Sequence, residues 1–213
     1  MAKIKQGILG GFSGSVANVV GSSWKGIAVM KSKPLSVANP RTPAQVAQRL
    51  KFKSASQMAD KVKANIIKPL WDKNAQYMTG VNAWMSENVK HFYGTGLPIV
   101  ESLVFSKGNI ASQPIDNCNF ADGGNSIDAS WNSTFTPTNA LPTDLVAGVA
   151  VDGDGQIVAQ AGFSIDNRDS GSLNLAVVDG YSGTEDVYCF VFFKSIDGIR
   201  QSNQAYKLVS PEI

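Results

Sequence analysis

One histidine, His91, and two cysteines, Cys118 and Cys189, 71 positions apart, are all the imidazole and thiol chemistry in this 213-residue chain. A Cys/His zinc site needs four such ligands, and any Ser-His or Cys-His mechanism would depend on a single imidazole. No serine or cysteine constellation can be tied to His91, which reads as a helix-end residue with a structural role. Asp152-Gly153-Asp154-Gly155-Gln156 offers oxygen ligands in a calcium-like order, but the third ligand and the distal glutamate of an EF-hand loop are not in place. It reads as a hairpin turn. Glycine-rich residues 7–26 contain neither G-x-x-x-x-G-K-[ST] nor G-x-G-x-x-G, so these glycines fit tight turns and close backbone packing rather than a phosphate cradle. The chain is expected to be non-enzymatic, with no catalytic, cofactor-binding or metal-binding residue and no cofactor.

Charge is divided unevenly along the chain. Residues 1–93 carry 14 Lys and Arg against Asp60, Asp72 and Glu87, a net +11, whereas residues 94–213 carry five basic and 14 acidic groups, a net −9. A composition of 43% hydrophobic and 9% aromatic residues is that of a folded chain able to bury a sizeable core. No stretch reaches the ~18 consecutive apolar residues of a membrane span. Residues 1–12 imitate a charged leader and its apolar core, but glycines and serines dilute the apolar run. The expectation is a soluble protein made in the bacterial cytoplasm, with no membrane partner.

These residues must be positioned by elements of two kinds. Val16–Trp24 and Ile27–Lys31 are β-type runs around Lys25-Gly26 and predict a hairpin. Pro34, Pro40 and Pro43 make residues 32–43 an extended connector. Thr42 can cap a helix whose first position suits Pro43, and the pattern predicts a helix over 43–67. Phe52, Ala55, Met58, Ala59, Val62 and Ile66 share its core face, with Val46 and Leu50 opposite, flanked by Arg49, Lys53 and Lys61. Pro69 is expected to end or kink it. A short helix over 70–78 and another over 80–92 follow, the second stopping at Gly94.

After Gly94–Pro98 the apolar period changes to two. Strands are predicted at 99–105, 126–132, 145–151, 157–163, 171–178, 186–194 and 200–208, with Asp-Gly turn signals between several of them. Seven short strands in about 110 residues predict an antiparallel β-sandwich. The fold class is therefore α+β in two domains: a basic hairpin-plus-helix domain at 1–94 and an acidic sandwich at 95–213. Cys118, Trp131 and Cys189 imitate an immunoglobulin signature, but Val187 stands where that pattern has tyrosine, so both cysteines are expected as free thiols. Ser126–Trp131 resembles the second strand of fibronectin type III domains, and Leu173 to Tyr206 resembles their last three.

A second resemblance lies in the basic half. Gly10-Gly11-Phe12-Ser13-Gly14, Val19-Val20-Gly21-Ser22-Ser23-Trp24-Lys25-Gly26, Met30-Lys31-Ser32-Lys33-Pro34 and Asn39-Pro40-Arg41-Thr42-Pro43-Ala44-Gln45 together resemble an uncharacterised family of about this length, found in bacteria and their phages. The Asn-Pro-Arg-Thr-Pro-Ala-Gln segment is similar to the start of phage structural proteins. The resemblance implies a virion structural or assembly protein, whose N-terminal half docks into a repeating particle while the sandwich is displayed or bridges neighbours. Its partners would be further copies of itself or capsid, neck or tail proteins.

Trp84 and Trp131 fall on predicted core faces, which leaves Trp24 and Trp71 freer for subunit contact. The candidate interface residues are Trp24, Lys25, Arg41, Val46, Arg49, Leu50, Lys53 and Trp71. Two other readings stand beside assembly. One is a bacterial interaction module whose sandwich binds a glycan or protein. The other is nucleic-acid binding by the basic half, which carries no recognised nucleic-acid-binding motif.

Overall fold

A computed structural model describes residues 3–4, 11–24, 27–36, 38–75, 77–121, 124–134, 139–163, 166–178, 181 and 186–210. The chain forms two compact units, Met1–Arg41 and Thr42–Ile213. The units part at Arg41, not at Gly94–Pro98 as the change of period suggested. The reason lies in the second unit, whose helices and sheet share one hydrophobic core.

The first unit is an antiparallel sheet of β1 (Lys3–Ile4), β2 (Phe12–Val16), β3 (Val19–Trp24) and β4 (Ile27–Ser32), paired in that order. Within the expected hairpin the first run is two strands, because the chain reverses at Ala17-Asn18, where Ala17 adopts φ 49° and Val16 pairs with Val19. The second connection joins Trp24 to its partner Ile27. A Cβ on Gly21 would lie 2.3 Å from the Phe12 carbonyl oxygen and 2.6 Å from its ring. Glycine here leaves room for the Phe12 carbonyl and ring where β2 meets β3.

In the second unit, α1 (Pro43–Val62) begins as expected, with Gln45 N–H donating to the Thr42 hydroxyl at 3.4 Å. Pro69 does not end the helix. A π-helical turn at Lys63–Ile67, in which Lys68 N–H donates to the Lys63 carbonyl, carries the chain into α2 (Lys68–Trp71). The wider turn changes the hydrogen-bond register just ahead of the residue that lacks an N–H. Of the short helix expected over 70–78, only Leu70 and Trp71 are helical, as the end of α2; a turn at 72–74 follows, and its Asp72 carboxylate accepts from Gly80 N–H at 2.8 Å. There α3 (Gly80–Asn88) starts, capped by Thr79, and one 3-10 turn at Val89–His91 ends it close to the predicted position.

Seven strands complete the unit: β5 (Asn117–Ala121), β6 (Ser126–Ser130), β7 (Leu145–Asp152), β8 (Ile157–Ala161), β9 (Ser172–Val177), β10 (Val187–Lys194) and β11 (Ala205–Val209). All neighbouring pairs are antiparallel, in the order β11-β10-β7-β8-β9-β6-β5. The sheet nearly closes on itself, since β11 approaches β5 and the Lys207 ammonium donates to the Asp116 carbonyl. Six of the predicted strands are present. The segment 99–105 is not one of them: it holds a 3-10 turn at Val100–Ser102 and then an extended stretch bonded to side chains. Val104 N–H donates to Asn88 Oδ1 at 2.7 Å, and Phe105 N–H to Gln204 Oε1 at 2.6 Å. Leu103 and Phe105 are buried all the same, so an alternating apolar pattern is realised without a strand partner.

Two cores flank the β7–β10 pair. Inside the sheet lie Ile127, Trp131, Val146, Ala150, Leu175, Cys189, Val191 and Phe193. On the other side Val149, Val151, Phe190 and Phe192 pack with Ala55, Met58, Val62, Ile66, Leu70, Trp84 and Leu103. Both strands are thus buried on both faces, which is why their sequences run apolar almost without alternation.

Limited trypsin digestion is expected to cut first after Arg41, at the end of a connector whose described residues are all exposed, and to leave Thr42–Ile213 intact. Gly96 and Pro98 are buried. A stable fragment beginning near residue 95 on a gel or mass spectrum would contradict this division.

Candidate docking surface

β4 carries the most unusual burial pattern in the chain: all six of its residues are exposed, although alternate side chains point to opposite faces of the sheet. Ile27 is 61% and Met30 70% exposed, and β4 is also the last strand in its sheet. Among the described residues of the first unit only Gly21 is buried, and glycine has no side chain to bury. This unit contains six Lys and Arg and no Asp or Glu. The sequence signal is Ile27-Ala28-Val29-Met30, a run that is apolar on both faces of the strand.

Within the second unit, the first turns of α1 are also open. Val46 and Leu50 are 40% and 37% exposed, one turn apart, with Arg49 and Lys53 exposed on the same side. The structure therefore brings these four expected residues onto one helical stripe. Phe52, expected in the core, is 57% exposed, because the buried face of α1 begins only at Ala55. The turn between Phe92 and Pro98 lies beside this stripe. A Cβ on Gly94 would be 3.2 Å from the Ala47 methyl, and one on Gly96 would be 3.6 Å from the Leu50 carbonyl. That turn exposes Tyr93 and Leu97, which sequence reasoning did not connect with α1.

The remaining expected residues are dispersed. Arg41 is exposed at the end of the first unit. Trp24 ends β3, but its side chain lies outside the described residues, as does the whole of Lys25. Trp71 is half-buried: it packs against the helix–sheet core, and its indole N–H donates to the Phe105 carbonyl at 2.8 Å. Trp84 and Trp131 are buried as predicted.

The calcium-like loop and the lone histidine occupy ordinary structural positions. The Asp152 carboxylate accepts from Gln156 N–H at 2.7 Å, within the β7–β8 turn, where Gly155 adopts φ 82°. Beside that turn is an open cleft of about 600 Å³, lined among others by Ser54, Gln57, Lys61, Thr95 and Asp154, with the Lys61 ammonium donating to Gln156 Oε1 at 2.7 Å. His91 is half-buried at the end of α3, and burial together with neighbouring Lys90 holds its pKa below the usual imidazole value. Among the described residues no three His, Cys, Asp or Glu side chains are grouped to hold a metal ion, and no helix is long and apolar enough to cross a membrane.

A family model described as a family of unknown function, DUF6266, matches residues 11–207. The chain belongs to that family. The match begins one residue before β2 and ends within β11, so the DUF6266 family pattern includes most of the exposed sheet as well as the helix–sheet unit. No curated protein matches this DUF6266 chain.

Proposed function

We propose that this DUF6266 protein is a non-enzymatic structural or assembly protein of phage type, which docks into a repeating particle through its N-terminal sheet and the exposed stripe of α1. The observation that carries the reading is the exposure of all six residues of β4. A meander of four short strands with no buried side chain among its described residues lacks the hydrophobic burial that lets small β structures stand alone. Apolar side chains on both faces of β4 gain that burial when a partner covers them. The surplus of lysine and arginine favours a partner with acidic groups, because complementary charge steers association and fixes register while buried apolar anchors supply most of the affinity. A second copy, or a capsid, neck or tail protein, supplies such a surface, and the protein belongs in the virion after synthesis in the bacterial cytoplasm.

The sheet of the second unit is the displayed part in this reading, and we take it as an immunoglobulin/fibronectin-like sandwich. In its favour, β5-β6-β9 and β8-β7-β10-β11, joined by a short β8–β9 pairing, run in the order expected of a seven-stranded Greek-key sandwich.

Mass measurement of the purified protein, alone and mixed with candidate capsid, neck and tail proteins, tests the proposal. Assembly is expected for the native chain. It should be lost in the Val46→Asp/Leu50→Asp double variant while the circular dichroism of the helix–sheet unit persists. A strictly monomeric chain that joins no particle, but shifts labelled DNA with a steep salt dependence, would replace this reading with nucleic-acid binding.

A further inference from the structure

β4 has β3 as its single neighbour among the described strands, and the opposite end of the sheet is β1, only two residues long. Its register with β3 runs unbroken through six pairs, from Val19↔Ser32 to Trp24↔Ile27, and Lys33 N–H continues it by donating to the Asn18 carbonyl at 2.7 Å. Bonded and non-bonded pairs alternate along an antiparallel ladder. Counting back from Lys33 in steps of two, Lys31, Val29 and Ile27 bond to β3, whereas Ala28, Met30 and Ser32 turn their N–H and C=O groups toward the open edge. Natural edge strands are commonly guarded by a proline, a bulge or several charges. β4 has no proline and an even register, and Lys31, near its end, is its one charged residue. The chain leading into β2 already meets the Ala28 side chain on one face, where a Cβ on Gly11 would lie 2.5 Å from its methyl carbon. Along the edge β4 has no described neighbour.

We infer that the open edge of β4 takes an extended acidic segment of a protein partner as a fifth strand, antiparallel to β4. The inference rests on the docking reading above and adds the chemistry of what docks. Three properties of the edge select this occupant. Alternating donors and acceptors at Ala28, Met30 and Ser32 match another peptide backbone, whereas a phosphate backbone accepts hydrogen bonds but does not donate them. Ile27 and Val29 on one face of β4, with Ala28 and Met30 on the other, offer cross-strand apolar contacts to an added strand on both of its faces. Six Lys and Arg with no Asp or Glu in residues 1–41 oppose pairing with the β4 of a second copy and favour carboxylates. Lys31 and Lys33 lie at the end of β4 where an antiparallel strand begins, so acidic residues there meet opposite charge directly.

Fluorescence polarisation of a labelled peptide of alternating glutamate and valine, titrated with the full-length chain, tests the edge. Saturable binding that weakens with added salt is expected, and none for a lysine–valine peptide of the same length. The fully N-methylated glutamate–valine peptide, which keeps every side chain but has no N–H to donate, should not bind, and this comparison leaves the protein itself unaltered. Met30→Pro removes an outward N–H while the bonds to β3 stay in place. It should weaken binding at least about fivefold beyond Met30→Ala, which loses the same side chain but keeps the N–H. No binding of the parent peptide, or equal binding of its N-methylated form, would overturn the inference. A dimer of the chain alone that is lost in Met30→Pro would assign the edge to a second copy and overturn it too. Particle assembly that survives Met30→Pro, with no peptide bound, removes the edge and leaves the docking reading standing. Peptide binding by a chain that joins no particle does the reverse.

Discussion

Replacing Asp144 by alanine is expected to lower the unfolding free energy of the helix–sheet unit by about 3–5 kcal/mol, because it leaves a buried guanidinium without its counter-charge. Asp144 and Arg168 are each 1% exposed, with Arg168 Nη2 3.7 Å from Asp144 Oδ2. Burial pushes the Arg168 pKa down and the neighbouring carboxylate offsets part of that shift. Other parts of the arginine are engaged as well, although its Nε and Nη2 find no hydrogen-bond partner among the described residues. Its Nη1 donates to Gln113 Oε1 at 2.9 Å, its guanidinium lies 3.8 Å from the centre of the Phe193 ring, and its carbonyl accepts from the Trp131 indole at 2.8 Å. Asp144 Oδ2 also accepts from Leu141 N–H at 2.9 Å, so the alanine variant loses a turn contact too. Against a folding stability of ~5–15 kcal/mol, such a loss is large. Urea melts should place Asp144→Ala well below the native chain, and Asp144→Ala/Arg168→Met should recover part of the difference, since an apolar pair removes the stranded charge. Equal midpoints for the native chain and the single variant would show that the pair contributes nothing.

Phe190→Ala should cost a similar ~3–5 kcal/mol, and the manner of unfolding is as informative as the size of the loss. Phe190 is fully buried on the helix-facing side of β10, with its ring centre 5.1 Å from that of Phe105 and 5.7 Å from that of Tyr206. Because α1 and α3 share that core with β7 and β10, helical circular dichroism and tryptophan fluorescence should disappear in one transition, displaced together to lower urea. Helical signal lost first, with the sheet persisting to the native midpoint, would restore a domain boundary near Gly94.

Features set by near neighbours in the chain are legible in the amino-acid sequence by itself. Thr42 and Pro43 start α1, Asp152–Gly155 turns β7 into β8, and short alternating or wholly apolar runs mark β6 to β11, since capping, turn geometry and run pattern depend on residues a few positions apart. β5 is harder to read, because the alternation of Asn117-Cys118-Asn119-Phe120 is short and its polar positions are asparagines, which are depleted in strands. The exposed stripe of Val46, Arg49, Leu50 and Lys53 is also readable from helical spacing alone.

Tertiary structure decided what depends on partners distant in sequence. The uninterrupted apolar runs of β7 and β10 point to burial on both faces, but only packing shows that helices cover the second face and move the unit boundary to Arg41. The same distant contacts tie Trp71 to the helix–sheet core and turn 99–105 into a chain bonded by Asn88 and Gln204. A one-dimensional pattern records which side chains need burial, whereas the element that provides it is selected by three-dimensional closure of the chain.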